Sequence, residues 1–178
     1  MSLEEPSVRI ALQKEHDSQL SKPPLSCVTT KESDQCVFCK IVRHELPAEV
    51  LYENAEVISI LDINPIHHGH ALVIPKKHYL DFLSIPEDDL HGVLHATQVV
   101  AKGIVKSLQL DGFNVFSNNG KVAGQSIFHF HMHITPRYAD DNIKFVLKLK
   151  SYEDGMLPEF AKKIREHIHP NLIGKKVN

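Results

Sequence analysis

Apolar positions along the chain recur at two periods. From Leu90 through Val93, Leu94, Thr97, Ala101, Ile104 and Val105 to Leu108 they fall three and four apart, which predicts an amphipathic helix with Pro86 near its start and Gly112 just past its end. A shorter run of the same spacing, Val37, Phe38, Ile41 and Val42, predicts a helix within residues 36–45 that Pro47 helps to end. It puts Cys36 and Cys39 on one face. Segments 49–53, 56–61 and 70–75 are short and rich in Val, Ile and Leu, with breaks at Asn54-Ala55 and from Asn64-Pro65 to Gly69, and they read as successive strands. Residues 113–117 and 127–135 read as two more, joined by a loop holding Asn118, Asn119, Gly120 and Gly124. Past Arg137, Ile143, Phe145, Leu147 and Leu149 alternate with polar positions as in a strand, while Leu157, Phe160, Ile164 and Ile168 suit a final amphipathic helix. Residues 1–34, with Pro23, Pro24 and no sustained period, predict a flexible arm with at most one short helix. The expected organisation is thus an arm (1–34), a core domain (35–140) and an extension (141–178) that packs on the core or on a partner subunit. The class is α+β, a mainly antiparallel sheet with helices on one side.

Composition narrows the partners. A chain of 178 residues with 42% hydrophobic content suits one domain with terminal decoration. Twenty basic against twenty-two acidic side chains give a formal charge of −2, so no broad cationic surface exists to hold nucleic acid. The longest apolar runs, such as Ala71 to Pro75, are far below the roughly 20 residues a membrane span needs, so no membrane partner is expected. The first residues lack an apolar signal core and carry Glu4, Glu5, Glu15 and Asp17, which points to the cytoplasm. In that reducing compartment the Cys36-x-x-Cys39 spacing implies metal or redox chemistry instead of a structural disulfide, with Cys27 a bystander.

Thirteen histidines matter through their clustering. In His129-Phe130-His131-Met132-His133, alternation along a strand turns three imidazoles to one side and leaves Phe128, Phe130, Met132 and Ile134 to anchor the other in the core. Imidazoles so placed can act as nucleophile, general acid or metal ligand, and the local spacing does not choose among these. The preceding Gly120-Lys121-Val122-Ala123-Gly124-Gln125-Ser126 has glycines that permit close backbone approach to an anion, and Gln125 and Ser126 as hydrogen-bonding groups. Together the two segments point to phosphoryl or nucleotidyl transfer.

The triad followed by Pro136-Arg137 and preceded by Gly124-Gln125-Ser126 resembles the histidine triad family, nearest its Hint-like, zinc-containing branch. Phe38 to Pro47, Leu61-Asp62-Ile63 and Gly69-His70-Ala71-Leu72-Val73-Ile74-Pro75-Lys76-Lys77-His78 fall in the family's order, so the resemblance covers about residues 35–140. It implies a five-stranded antiparallel sheet in a homodimer, and a hydrolase that acts at the α-phosphate of a purine nucleotide or nucleotide conjugate. His131 would be the nucleophile, with His133 and His70 contacting phosphate oxygens or assisting the leaving group, and His129 completing the catalytic set. Asn118, Gln125 and Ser126 match positions that hold the α-phosphate, and Asp62 the acid that binds ribose hydroxyls. Val37, Phe38, Ile41, Leu46, Ile60 and Ile63 match the apolar surroundings of the base. Some relatives hold structural zinc through the cysteine pair and two histidines, here Cys36, Cys39, His78 and His129; no catalytic metal is required.

Rival readings remain at this point. A metal-dependent hydrolase would use His129, His131 and His133 as three ligands of one ion. A nucleotidyl transferase or phosphorylase relative would carry Gln at the third triad position, where this chain has His133. A dinucleoside polyphosphate hydrolase competes with a phosphoramidase inside the family, and a nucleotide-binding regulatory module with little turnover competes with both.

Overall fold

In a computed structural model of the protein, residues 31–144 and 148–168 are described. The chain divides into two compact units at Asp141 and Asn142. In the first, helices α1 (Lys31–Gln35) and α2 (Val37–Val42) precede a meander of strands β1 (Val50–Glu53), β2 (Val57–Leu61) and β3 (Ala71–Pro75). Helix α3 (Glu87–Leu108) then leads to β4 (Gly112–Phe116) and β5 (Met132–Arg137). The sheet order is β1-β2-β3-β5-β4 with every pairing antiparallel. The five-stranded antiparallel α+β architecture is the one expected.

Strict alternation on β2 and β3 assigns the two faces. Val57, Ala71 and Val73 join Val93, Ala96, Val100 and Ile104 of α3, with Phe130 and Ile134 completing that core. Ile58, Ile60, Leu72 and Ile74 turn the other way and pack on Phe38, Ile41 and Val42 of α2. Helices therefore cover both faces, and not one only. Strand β3, covered twice, buries all five residues, which is why it reads as a continuous apolar run and not as an alternation. The register sets Leu72 opposite His133, so the third triad histidine faces the α2 side.

Helix α3 starts with Glu87, Asp88 and Asp89 in its first turn, where acidic groups complement the helix dipole. Its last residues meet the turn before β3. Gly69 lies at φ +85°, and a Cβ there would stand 2.6 Å from Leu108 Cδ1 and 3.2 Å from Pro136 Cγ. Only glycine fits this corner, and the next residue is His70. Between α3 and the edge strand β4 runs an apolar groove of about 590 Å³ lined by Leu94, Thr97, Ala101, Val105, Phe113 and Val115 among others.

The second unit contains α4 (Met156–Arg165), where the amphipathic helix was expected. Leu157, Phe160, Ile164 and Ile168 are exposed, and the Tyr152 and Phe160 rings meet edge-on at 5.8 Å. The strand expected across 143–149 falls partly on residues 145–147, outside those described, and residues 143, 144, 148 and 149 are in no regular element. Most of the expected N-terminal arm, residues 1–30 with Cys27, also lies outside them. Among the described residues no helix is long and apolar enough to cross a membrane.

Candidate active site

Strand β5 begins at Met132, five residues later than the alternation predicts, so His129 and His131 precede it on irregular backbone. Local partners take the ladder bonds away. The Phe130 N–H donates to Tyr79 O at 2.5 Å, the His129 carbonyl accepts from His131 Nδ1 at 2.7 Å, and the Ile127 carbonyl accepts from Gln125 Nε2 at 3.2 Å. Phe130 and Ile134 anchor the core as expected, but Phe128 is half exposed. The three histidines still share the α2 side. The Phe38 ring meets His129 and His131 edge-on at 5.9 and 5.0 Å, and the His131 and His133 rings meet at 4.7 Å.

His70 enters from β3 and stacks on His133 at 5.1 Å, with its Nε2 3.0 Å from His133 Nδ1. Phe116 of β4 stacks on the same ring at 4.6 Å. The sequence reading does not find Phe116, because its place beside His133 follows from the pairing of β4 with β5. Burial disfavours charge on all three imidazoles. Desolvation lowers the pKa of His70, against the pull of Asp62, and lowers that of His131. For His133 desolvation, with His131 and His70 nearby, takes it to about 4. Near neutral pH the cluster is therefore uncharged, and its nitrogens are available as lone pairs and donors.

The Gly120–Gly124 loop contains a single 3-10 turn, Lys121–Ala123, between glycines at φ +82° and +88°. Gly124 lies beside Asn118, and Ser126 is exposed next to them. Gln125 is buried and committed to the loop: its Oε1 accepts from Gly120 N at 2.8 Å, and its Nε2 donates to Leu80 O at 2.7 Å and to Ile127 O. Its side chain shapes the loop. Asp62 stands at the end of β2 with Oδ1 accepting from Asn64 N at 2.9 Å and Oδ2 3.5 Å from His70 Nδ1. Of the apolar set, Phe38, Ile41 and Ile60 are buried, Val37 and Leu46 are at the surface, and Ile63 is 90% exposed.

Cys36, Cys39, His78 and His129 bring one ligand atom each to within 4.8 Å of one another. Cys39 Sγ is 3.2 Å from His78 Nδ1, and both sulfurs are 3.5 Å from His129 Nδ1. Tetrahedral zinc, with bonds of about 2.3 Å to sulfur and 2.0–2.1 Å to nitrogen, requires sulfur–nitrogen separations near about 3.5 Å, so the set fits. His129 Nε2 donates to Pro75 O at 2.9 Å, which leaves Nδ1 bare toward the sulfurs. The Cys36 thiol is pulled down to about 3, first by its hydrogen bond with Cys39 and further by His129, against desolvation. Thiolate is the ligating form. Among the described residues no such grouping contains His131: His133 falls with Asp62 and His70, and His129 with the cysteines. The three triad histidines thus do not form one metal site.

A sequence model of the HIT domain matches residues 43–140, which include β1 to β5 and the triad. The chain belongs to the histidine triad family. An uncharacterised HIT-like protein of Methanocaldococcus jannaschii is 43% identical to this HIT protein over 73% of the chain and 98% of its own length. An Arabidopsis thaliana adenylylsulfatase is 44% identical over 64% of this chain and 57% of its own length, and a Saccharomyces cerevisiae adenosine 5'-monophosphoramidase 40% identical over 57% and 62%. Among solved structures, a HIT family member from Bacillus subtilis superposes with TM-score 0.72 at 34% identity, over 76% of this chain and 98% of that one. A zinc-bound histidine triad protein from Mycobacterium smegmatis superposes with TM-score 0.60 at 36% identity, over 75% and 98%.

Proposed function

We propose that this HIT protein hydrolyses a purine nucleotide conjugate, a nucleoside phosphoramidate or adenylylated amine, at its α-phosphate and releases the nucleoside monophosphate. The observation that carries the reading is the hydrogen bond from His131 Nδ1 to the His129 carbonyl at 2.7 Å. A carbonyl only accepts, so the His131 proton sits on Nδ1 and Nε2 holds a lone pair. A neutral imidazole attacks phosphorus without first losing a proton, and as a good leaving group it then yields to water. In the first step the His131 Nε2–P bond forms and the bond to the amine breaks, the amine leaving with a proton taken up from solvent. In the second, water adds to phosphorus, releases its proton to solvent, and the P–N bond to His131 breaks. The printed activities of the Arabidopsis and yeast relatives, on an adenylyl sulfate and an adenosine phosphoramidate, support this substrate class.

Asn118, Ser126 and the main chain at Gly124 would hold the phosphate, with Gln125 fixing their loop. Asp62 would take the ribose hydroxyls, and Phe38, Ile41 and Ile63 the base. Zinc held by Cys36, Cys39, His78 and His129 would supply a structural cross-link and no reacting group. A reducing compartment such as the cytoplasm would keep both thiols reduced for it, and neither is in a disulfide. The α3–β4 groove would be covered by a second copy of the chain.

The test is a panel of adenosine phosphoramidates, adenylylated lysine and dinucleoside polyphosphates assayed for nucleoside monophosphate, with rapid acid quench. Turnover should be greatest on the amine conjugates. The quench should trap one nucleoside monophosphate on the peptide containing His131, and His131→Asn should lose turnover by three orders of magnitude or more, above about 4 kcal/mol of barrier. A label on another residue, or near-normal turnover by the variant, would sink the assignment.

A further inference from the structure

The main chain fixes where the proton sits on more than one histidine of the site. The Ile66 N–H points at His70 Nδ1 at 3.2 Å. A proton on that nitrogen would meet the amide head-on, and Asp62 Oδ2, at 3.5 Å, is too distant to hold one firmly. The His70 proton is therefore on Nε2, 3.0 Å from His133 Nδ1. His133 Nδ1 must then accept, which puts the His133 proton on Nε2. That atom is buried and has no hydrogen-bond partner among the described residues, an orphaned donor beside His131. His131 is set in the reverse sense, with its proton on Nδ1 facing the His129 carbonyl.

We propose that the Ile66 main-chain N–H, acting through His70, locks His133 with its Nε2–H directed into the reaction site, so that His131 and His133 work in opposite tautomers. One ring offers a lone pair to phosphorus, and the other donates a hydrogen bond to an anionic phosphoryl oxygen. His70 is a positioning residue in this scheme, since its own N–H is used on His133 and none is left for substrate. The cluster's low proton affinity fits this, because it keeps each ring neutral, with one proton that the hydrogen bonds then place. The assignment rests on the phosphoryl chemistry proposed above, but the tautomers themselves can be read without substrate.

Long-range ¹⁵N–¹H correlation spectra of the full-length protein report the tautomer of each imidazole, with His131→Asn and His133→Asn identifying the two signals. The wild type should show His131 protonated at Nδ1 and His133 at Nε2. In His70→Leu the His133 pattern should become a mixture, with kcat down roughly tenfold and KM little changed. This is short of the roughly 10²–10³ that complete loss of a donor to developing charge costs. His70→Gln, whose amide N–H reaches near the former Nε2–H, should restore both the spectrum and most of the rate. A wild-type His133 protonated at Nδ1 overturns the proposal, as does a His70→Leu protein with unchanged His133 spectrum and kcat. Should the Leu variant fail to fold, the wild-type and Gln spectra decide. An Nε2–H signature on His133 without a covalent adduct on His131 would leave the lock standing and remove the reaction proposed for it.

Discussion

Gly69 turns the chain from the Asp62–His68 loop into β3, and its missing side chain is what lets His70 reach His133. A Cβ at φ +85° is strained, and here it also meets Leu108 and Pro136. Gly69→Ala should therefore lower unfolding stability by about 1–3 kcal/mol, from the sum of strain and displaced packing, and should reduce turnover as His70 shifts. Urea midpoints check it, with Gly155→Ala as the internal control: that glycine has the same φ of +85° and nothing within 4 Å of its Cβ position. Equal losses in the two variants would show that the close packing at Gly69 does not matter. The triad and the Cys36–Cys39 pair are visible in the sequence by their own spacing, and His70 and Asp62 through the family resemblance. The Ile66 amide, Phe116 and the bonds that commit Gln125 to Leu80 are not, since each depends on what a distant segment places opposite.

Period and breaker residues bring α3 and β1 to β4 within about two residues of their bounds, because these elements bury faces of one period. The same reasoning starts β5 too early: Ile127 to His131 alternate like a strand but give their main-chain bonds to Tyr79 and to side chains. Coverage of both sheet faces was likewise hidden, since the spacing predicts the α2 helix but not the face of the sheet on which it packs. The proposed metal would join α2 to the segment after β3 and to the approach to β5, fastening three pieces of chain that share few ladder bonds. Purified protein should contain one zinc per chain by elemental analysis. Cys39→Ser or chelation should lower stability by more than about 2 kcal/mol, a fraction of the roughly 10–16 kcal/mol seen where zinc organises a whole small fold. Metal-free protein with an unmoved melting temperature would reject the site.

At the scale of the whole molecule, an apolar groove lies away from the histidines, along α3 and the edge of β4, where Leu94, Phe113 and Val115 stand half exposed. A free strand edge beside an apolar groove invites a second copy. Light scattering at micromolar concentration should give about twice the chain mass of 20.1 kDa, and Phe113→Glu should return the single-chain value. A single-chain mass for the wild type would exclude the dimer. The strand order also bears on how the site comes into being. The β1-β2-β3 meander closes through neighbouring segments, whereas His70 meets His133 across 63 positions and Cys36 meets His129 across 93. Such closures are entropically costly until the intervening helix is in place, so β5 slots between β3 and β4 late. During synthesis the cysteines emerge long before their histidine, and a chain halted just before residue 129 holds four of the five strands and none of the triad.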